Sequence, residues 1–543
     1  MVPWDSPLSI GYRRLELRAY RSPVSRIKER VAVKVPLTIN DFLDRSVAVY
    51  PDRVAIVDEP DQVAAPLGEI TYAQLGDIRR QMGVAMDELG LPMGARVAMV
   101  SHNSARLLTS FFGVSGNGRV FVPINFRLSK PEVEYILEHS GAEAVLIDPE
   151  LEADLGDIAC KHKWIIGPES DGFWYGREGT PTPWQPDEDA TASINYTSGT
   201  TARPKGVEQT HRARWTNAAI FGWQATVTDR DVYLHTLPMF HCDGWGMLYT
   251  VTAMGVKHVV LRKVDGAEIL RRIDQHGVTL MCGAPAVVTA VLDAAAEWDG
   301  EIPGKGTVRI VVAGAPPPTA IIERVETELG WEFIQIYGLT ETAPLITMNR
   351  TRQEWDNLSS LERAQKLSRA GAPVVGMDTK IDGEGEILAK GNHILKSYWA
   401  QPEATDEALE GGWFHTGDGG QIDDEGYIAI TDRKKDVIIS GGENVSSIEV
   451  EDTLFSHPDV VEVAVIGVPH EKWGETVKAL VVMSEGADVT EGQLISYCRD
   501  NLTHYKCPTS IEFRDELART ATGKLQKFKL RAPFWEGREK QIN

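Results

Sequence analysis

Beyond its first 34 residues the chain alternates short apolar β-type runs with helical stretches, and this alternation limits its fold more than any other feature. "ARVAMV" reads as a strand, "SARLLTSFFGVSG" as the next helix, and "VFVPIN" as a strand again. The pattern returns in "EAVLID", "DVYLHTLPM", "KHVVLR", "VTLMCGA", "VRIVVAGA" and "FIQIYG". Strand–helix alternation sustained over several hundred residues predicts an α/β fold around largely parallel sheets covered on both faces. Sites in such folds gather at the carboxyl ends of the strands. Two strands here run directly into unusual loops, "VRIVVAGA" into "PPP" and "FIQIYG" into "LTETAP".

The character changes after about position 433. "VIISGGENVSSIEVEDTLFSHPDVVEVAVIGVP" reads as a glycine-rich loop, an amphipathic helix and a strand. "VKALVVM" reads as another strand and "TEGQLISYCRDNL" as another helix, which makes a small α+β unit. With 543 residues the chain is too long for one core, so a separate domain is expected there. The charged stretch "DRKKD", Asp432 to Asp436, is the joint. At the other end "YRRLELRAYRSPVSRIKERVAVK" is rich in arginine on an acidic protein. A solvated arm accounts for it best; contact with a membrane surface or a partner, or a targeting segment, are the alternatives.

The net charge of -22 argues against nucleic acid as the main partner, although a local pocket can still take a nucleotide. The five cysteines form no C-x-x-C pair, which disfavours a disulfide frame or a zinc site and fits a reducing cytoplasm. No apolar run is long enough to predict a transmembrane helix. The N-terminus carries no apolar signal core, and "KQIN" is not a peroxisomal address.

"INYTSGTTARPKG", from position 194 to 206, has the makings of a phosphate loop. A Walker-type loop would place Ser or Thr directly after the lysine to hold magnesium, but Gly206 follows Lys205. What remains is a loop whose Thr197, Ser198, Thr200 and Thr201 hydroxyls and backbone N–H groups, Gly199 included, can wrap polyphosphate oxygens. Lys205 adds positive charge. Alone, the segment is equally a Ser/Thr/Gly surface turn.

Three further motifs give it context. "YGLTETAP" spans Tyr337 to Pro344, "WFHTGDGGQIDDEGYIAITDRKKDVIISGGENVSSIEVE" spans Trp413 to Glu451, and "TATGKLQK" spans Thr520 to Lys527. In this order and at these separations the four resemble the adenylate-forming superfamily of acyl-CoA synthetases, peptide-synthetase adenylation domains and beetle luciferases. The resemblance runs from about position 37 to 535. It implies a large domain over 37–433 with α/β-covered sheets and a β subdomain, a hinge at 434–436 and a small mobile α+β domain over 437–543, behind the basic arm of 1–36. It also implies two half-reactions. A carboxylate attacks the α-phosphate of ATP to give acyl-AMP and pyrophosphate, and the thiol of coenzyme A then attacks the mixed anhydride.

The resemblance assigns residues to these steps. Thr197 to Lys205 would hold the β- and γ-phosphates, Thr340 the α-phosphate and Glu341 a magnesium ion. Tyr337 and Gly338 would flank adenine on one side, with Gly314, Ala315 and Pro316 on the other. Asp418 and Arg433 would hold the ribose. Lys524 would bridge the acid and the α-phosphate, a task suited to a point charge. Lys435 would be the hinge, and Gly441, Gly442 and Glu443 would line the thiol's tunnel in the second step. In "PMFHCDGWG", His241 would stand beside the acyl carboxylate and Trp245 would gate the acyl tunnel; a core aromatic is an equal reading of Trp245.

Small residues in "AGAPPP" and "CGAPAVV" leave room for an apolar chain, and no acidic residue stands ready to meet an amino group. An aliphatic acid, from short or medium to long, is therefore expected. An aryl acid, or a carrier protein in place of coenzyme A, is the alternative within the family; a non-catalytic nucleotide-binding protein and a kinase-like NTPase lie outside it. A homodimer is compatible with the sequence. Ala202 replaces a common glycine of the phosphate loop, and "VVGMDTKIDGEGEI" is short, which predicts a trimmed surface hairpin.

Overall fold

A computed structural model describes residues 34–197, 203–433, 436–440, 443–470, 473–519 and 525–536. The backbone alone is described at Arg433 and Asn444. Met1–Pro36 and Leu37–Asn543 are two separate units, and nearly all of the basic arm lies outside the described residues.

Two α/β sheets make up most of Leu37–Asn543. The first has nine strands, in the order Ala372–Pro373, Leu345–Arg350, Glu332–Gly338, Arg309–Val312, Leu280–Gly283, Val232–His235, Lys257–Val260, Val54–Val57, Glu69–Thr71. It is parallel from Glu332–Gly338 across to Val54–Val57 and antiparallel at both edges. The second has seven strands, with Thr191–Thr197, Val120–Ile124, Arg96–Val100, Ala142–Ile147 and His162–Ile165 in parallel. Its other edge is antiparallel, formed by Lys205–Thr210 and Ser397–Tyr398. The central strands are buried along almost their whole length, as in Val120–Ile124 and Leu280–Gly283. That burial on both faces is why they read as unbroken apolar runs.

Local signals set the helices. Ser104 Oγ caps Ala105–Ser115 by accepting from Leu107 N, and Thr210 does the same for His211–Gln224 by accepting from Ala213 N. Gly141 ends Lys130–Ser140 in the left-handed conformation. A third sheet is wholly antiparallel: Met377–Ile381, Glu386–Gly391, Phe414–Ile422 and Ile428–Arg433. The first two of its strands form the expected short hairpin.

Within Leu37–Asn543, the residues from Ile438 onward form a carboxyl-terminal unit with its own sheet and apolar core. Val460–His470 and Gly474–Met483 form a long antiparallel pair, with Ser510–Phe513 parallel to the second. Val450, Leu454, Val465, Ala479, Leu494 and Cys498 are among the buried side chains of this core. One expectation is corrected here. The segment read as a glycine-rich loop carries two short antiparallel strands, Ile438–Ser440 and Glu443–Val445, on either side of Gly441 and Gly442, which lie outside the described residues. Their brevity, three residues each, hid these strands from a search for apolar runs.

Candidate active site

The site is built on the carboxyl ends of neighbouring parallel strands. Arg309–Val312 leads into Ala313 and Gly314, whose φ of +99° is a conformation that favours glycine. Gly314 and Ala315 are half-buried and Pro316 is exposed. The neighbouring strand Glu332–Gly338 pairs in parallel with Arg309–Val312, which sets Tyr337 on the strand end beside this loop. Gly338 cannot be replaced without movement, because a Cβ there would lie 1.6 Å from the Pro344 carbonyl oxygen.

Two carboxylates are each held by a tyrosine. Tyr337 Oη donates to Asp418 Oδ2 at 2.9 Å. Asp418 is buried on the strand Phe414–Ile422, and the backbone of Arg433 stands opposite it in the ladder. Tyr398 Oη donates to Glu341 Oε1 at 2.9 Å. Glu341 lies in the single 3-10 turn Thr340–Thr342 that follows Gly338, and burial raises its carboxyl above the usual range. The Tyr398 bond and the Lys205 charge oppose that shift, and the Asp418 charge adds to it.

Tyr398 also links Glu341 to the phosphate-loop segment. Lys205 Nζ lies 4.7 Å from the Tyr398 ring centroid. Lys205 opens the strand Lys205–Thr210, and Thr197 ends the strand paired with it, so the expected loop is the connection of an antiparallel pair. Gln209 Nε2, on the Lys205 strand, donates to the Thr340 carbonyl at 2.7 Å. Among the described residues no group of three or more His, Cys, Asp or Glu is placed to hold a metal. A single buried carboxylate such as Glu341 suits magnesium, which keeps waters and phosphate oxygens in its shell.

His241 is half-buried and precedes a left-handed turn; Trp245, in that turn, is 4% exposed and packs in the apolar core. Burial therefore favours the core reading of Trp245. The segment abuts the Thr340 turn: Asn217 Nδ2 donates to the Trp245 carbonyl, and Asn217 Oδ1 accepts from Leu345 N. Glu443 is exposed on its hairpin, away from these carboxylates in sequence and on a different sheet. Ser198, Gly199, Thr200, Thr201, Lys435, Gly441, Gly442 and Lys524 lie outside the described residues, as does the side chain of Arg433.

Three features escaped the sequence reading. Tyr398 carries no motif signal, because it reaches Glu341 from 57 residues away. The buried pair Arg214–Asp243 is the second. The third is a polar set at the joint. Asp432 accepts from Ser447 N at 3.1 Å and Ser447 Oγ at 2.5 Å, and Lys527 Nζ bonds both Ser447 Oγ and Glu451, the latter at 2.8 Å.

Comparison with known proteins agrees with this geometry. A model of the family described as "AMP-binding enzyme" matches residues 43–399, and one described as "AMP-binding enzyme C-terminal domain" matches 449–524. A 2-methylpropanoate–CoA ligase of Humulus lupulus is 36% identical, covering 93% of this chain and 96% of its own. A peroxisomal benzoate–CoA ligase of Arabidopsis thaliana is 35% identical, over 92% of this chain and 93% of its own. The crystal structure of an anthranilate CoA ligase in complex with anthranoyl-AMP superposes with a TM-score of 0.82 at 27% identity, over 92% of this chain and 98% of that one.

Proposed function

This chain belongs to the AMP-binding enzyme family and is an AMP-forming acid–thiol ligase, and from that premise we propose that it activates an aliphatic carboxylic acid of short to medium length. Its substrates are the acid, ATP with magnesium, and coenzyme A. The observation that carries the site assignment is the Lys205–Tyr398–Glu341 arrangement. It joins the end of the phosphate loop to a buried carboxylate through one phenol.

In the first half-reaction a carboxylate oxygen of the acid attacks the α-phosphorus, the bond to the β-phosphate oxygen breaks, and pyrophosphate leaves. Two anions must meet, so cations and oriented donors set the rate. Lys205 and the loop from Thr197 hold the leaving pyrophosphate. Glu341 holds magnesium, which neutralises phosphate charge when bound. Thr340 meets the α-phosphate. Tyr337 offers its ring to adenine while its hydroxyl steadies Asp418 for the ribose, and Lys524 brings acid and α-phosphate together. In the second half-reaction the thiol of coenzyme A loses its proton and attacks the acyl carbon, and AMP leaves. The small unit turns about Lys435 between the steps and exchanges Lys524 for the Ser440–Asn444 hairpin.

The short-chain assignment is supported by relatives named for 2-methylpropanoate, butyrate and 4-hydroxybutyrate. An aryl acid is the second reading, favoured by the benzoate- and anthranilate-activating relatives. Among the described residues no helix is long and apolar enough to cross a membrane. The spacing of the five cysteines, with no C-x-x-C pair, fits a reducing compartment such as the cytoplasm. The test is pyrophosphate release with acids of graded length, branching and aromaticity, with and without coenzyme A. Butyrate and its branched isomer 2-methylpropanoate should give the highest kcat/KM, with AMP and not ADP as product. Preference for benzoate would replace the aliphatic assignment with the aryl one.

A further inference from the structure

A buried charge cluster that the scheme above leaves unused surrounds Arg214. Arg214 Nε and Asp243 Oδ2 are 2.9 Å apart, and both side chains have 0% exposure. Asp243 lies in a run of left-handed backbone: Cys242, Asp243, Gly244, Trp245 and Gly246 have φ of 50°, 50°, 56°, 59° and 75°. Residues with a side chain adopt this conformation at a cost, and a run of them persists only where the surroundings over-determine it.

Asp243 supplies that restraint. Its carboxylate accepts from Ser193 Oγ at 2.8 Å, Asn195 Nδ2 at 2.9 Å and Tyr249 Oη at 3.3 Å, besides the guanidinium. Arg214 is engaged on every side as well. Nη2 donates to Asn195 Oδ1 at 2.5 Å and Ser193 Oγ at 3.1 Å, and Nη1 reaches the Ala343 carbonyl at 3.4 Å and Cys242 Sγ at 3.6 Å. One guanidinium thus ties together three segments. They are the strand Thr191–Thr197 that leads to the phosphate loop, the turn after His241, and the backbone just after Thr340 and Glu341.

We propose that Arg214, acting through Asp243, is a positioning residue of the acid site, where the pair holds the left-handed turn that follows His241 in fixed register with the Thr340–Glu341 turn. This rests on the proposed function, with His241 read as the residue beside the acyl carboxylate. The three segments do not depend on the pair equally. Thr191–Thr197 is already fixed by its ladder with Lys205–Thr210. The turn at 242–246 belongs to no strand: backbone bonds from Gly244 N to the Met239 carbonyl and from Gly246 N to the Asp243 carbonyl shape it locally, and side-chain bonds tie it to the neighbouring segments. Loss of the pair should therefore disturb the acid far more than ATP. A buried ion pair is in itself weak evidence for stability, since apolar replacements often do as well. Its fixed directions matter here because they set geometry.

The test compares Asp243→Asn and Arg214→Lys with Arg272→Met. Arg272 and Glu59 form an equally buried pair, 2.7 Å apart with exposures of 3% and 5%, that touches none of the three segments. Asp243→Asn should lower kcat/KM for the preferred acid by about 10- to 100-fold, the cost typical of a misplaced substrate. The KM for ATP should stay within about twofold on the same reasoning, and the order of preference among acids of graded length should change. Arg214→Lys, which keeps the charge but not the forked donor set, should shift the same quantities in the same direction by less. Arg272→Met should lower Tm and leave that order intact. If Asp243→Asn is insoluble, Ser193→Ala removes one hydroxyl from Asp243 and should act in the same direction with smaller size. The proposal is overturned if these variants lower only Tm while His241→Ala raises the KM for the acid. If His241→Ala also leaves that KM unchanged, the acid-site assignment itself fails.

Discussion

Glu341 and Asp418 are fixed by burial, each with a phenol hydroxyl bonded to it, whereas the carboxyl-terminal unit meets the preceding sheets chiefly through polar bonds near the joint. Asp432 holds Ser447, Ser446 donates to the Thr431 carbonyl, and Asp452 accepts from Thr319 N and Oγ1 at 2.9 and 3.2 Å. Phe455 adds an apolar contact to the cores on both sides. The difference fits the chemistry proposed for each region. Groups that hold ATP through both half-reactions gain from a rigid, dry setting. A group needed for one step only must be able to leave, and hydrogen bonds that water can replace cost little to exchange.

The sharpest way to break this comparison is to remove the moving charge. Lys524→Ala should lower pyrophosphate release by about 100- to 1,000-fold, the loss typical of a preorganised charge at a reacting centre. Thioester formation from supplied acyl-AMP should be nearly unaffected. Normal adenylation by this variant would remove Lys524 from the first step.

A second test concerns the fixed region and pH. Burial depresses the pKa of His211 and of His393 to about 4. Both are neutral in the fold and take up protons near pH 6.5 once unfolded. Their contribution to stability is complete above about pH 6.5 and is lost progressively as the pH falls from there toward 4. Tm should decline over that window, and His211→Gln should flatten the decline. A Tm independent of pH between 7 and 4 would contradict the burial account.

The smallest effect is expected at the interface. Asp452→Ala removes the bonds to Thr319, worth about 1 kcal/mol, or roughly a fivefold change in a two-state population. It should shift the ratio of the two half-reaction rates by about that factor and leave the KM for ATP unchanged. An unchanged ratio would mean that this contact does not bias the arrangement of the unit.

Much of this architecture was legible because parallel strands covered on both faces must be apolar throughout. Val120–Ile124 and Leu280–Gly283 declare themselves in the sequence. Met377–Ile381 buries only one residue of its five, and Phe414–Ile422 carries three glycines, so the strands of the antiparallel sheet did not show as apolar runs, and the resemblance alone pointed to a β subdomain there. In the site the contiguous motifs gave Tyr337, Glu341 and Asp418, but not what holds them. Tyr337 and Asp418 are 81 residues apart, and no local pattern encodes a hydrogen bond made across two sheets. Arg214 is equally silent, since an arginine on a helix reads as solvated until its burial is seen.

The central claim is that one region stays while the other is exchanged between steps, and Lys435→Pro tests it most directly. Proline fixes φ and removes the rotation that a hinge needs. With the preferred acid, ATP and coenzyme A, acyl-AMP and pyrophosphate should form at close to the normal rate, while thioester formation should fall by about 100-fold or more, as expected when a conformational step is blocked. Equal loss of both half-reactions, or an unchanged thioester rate, would contradict the account.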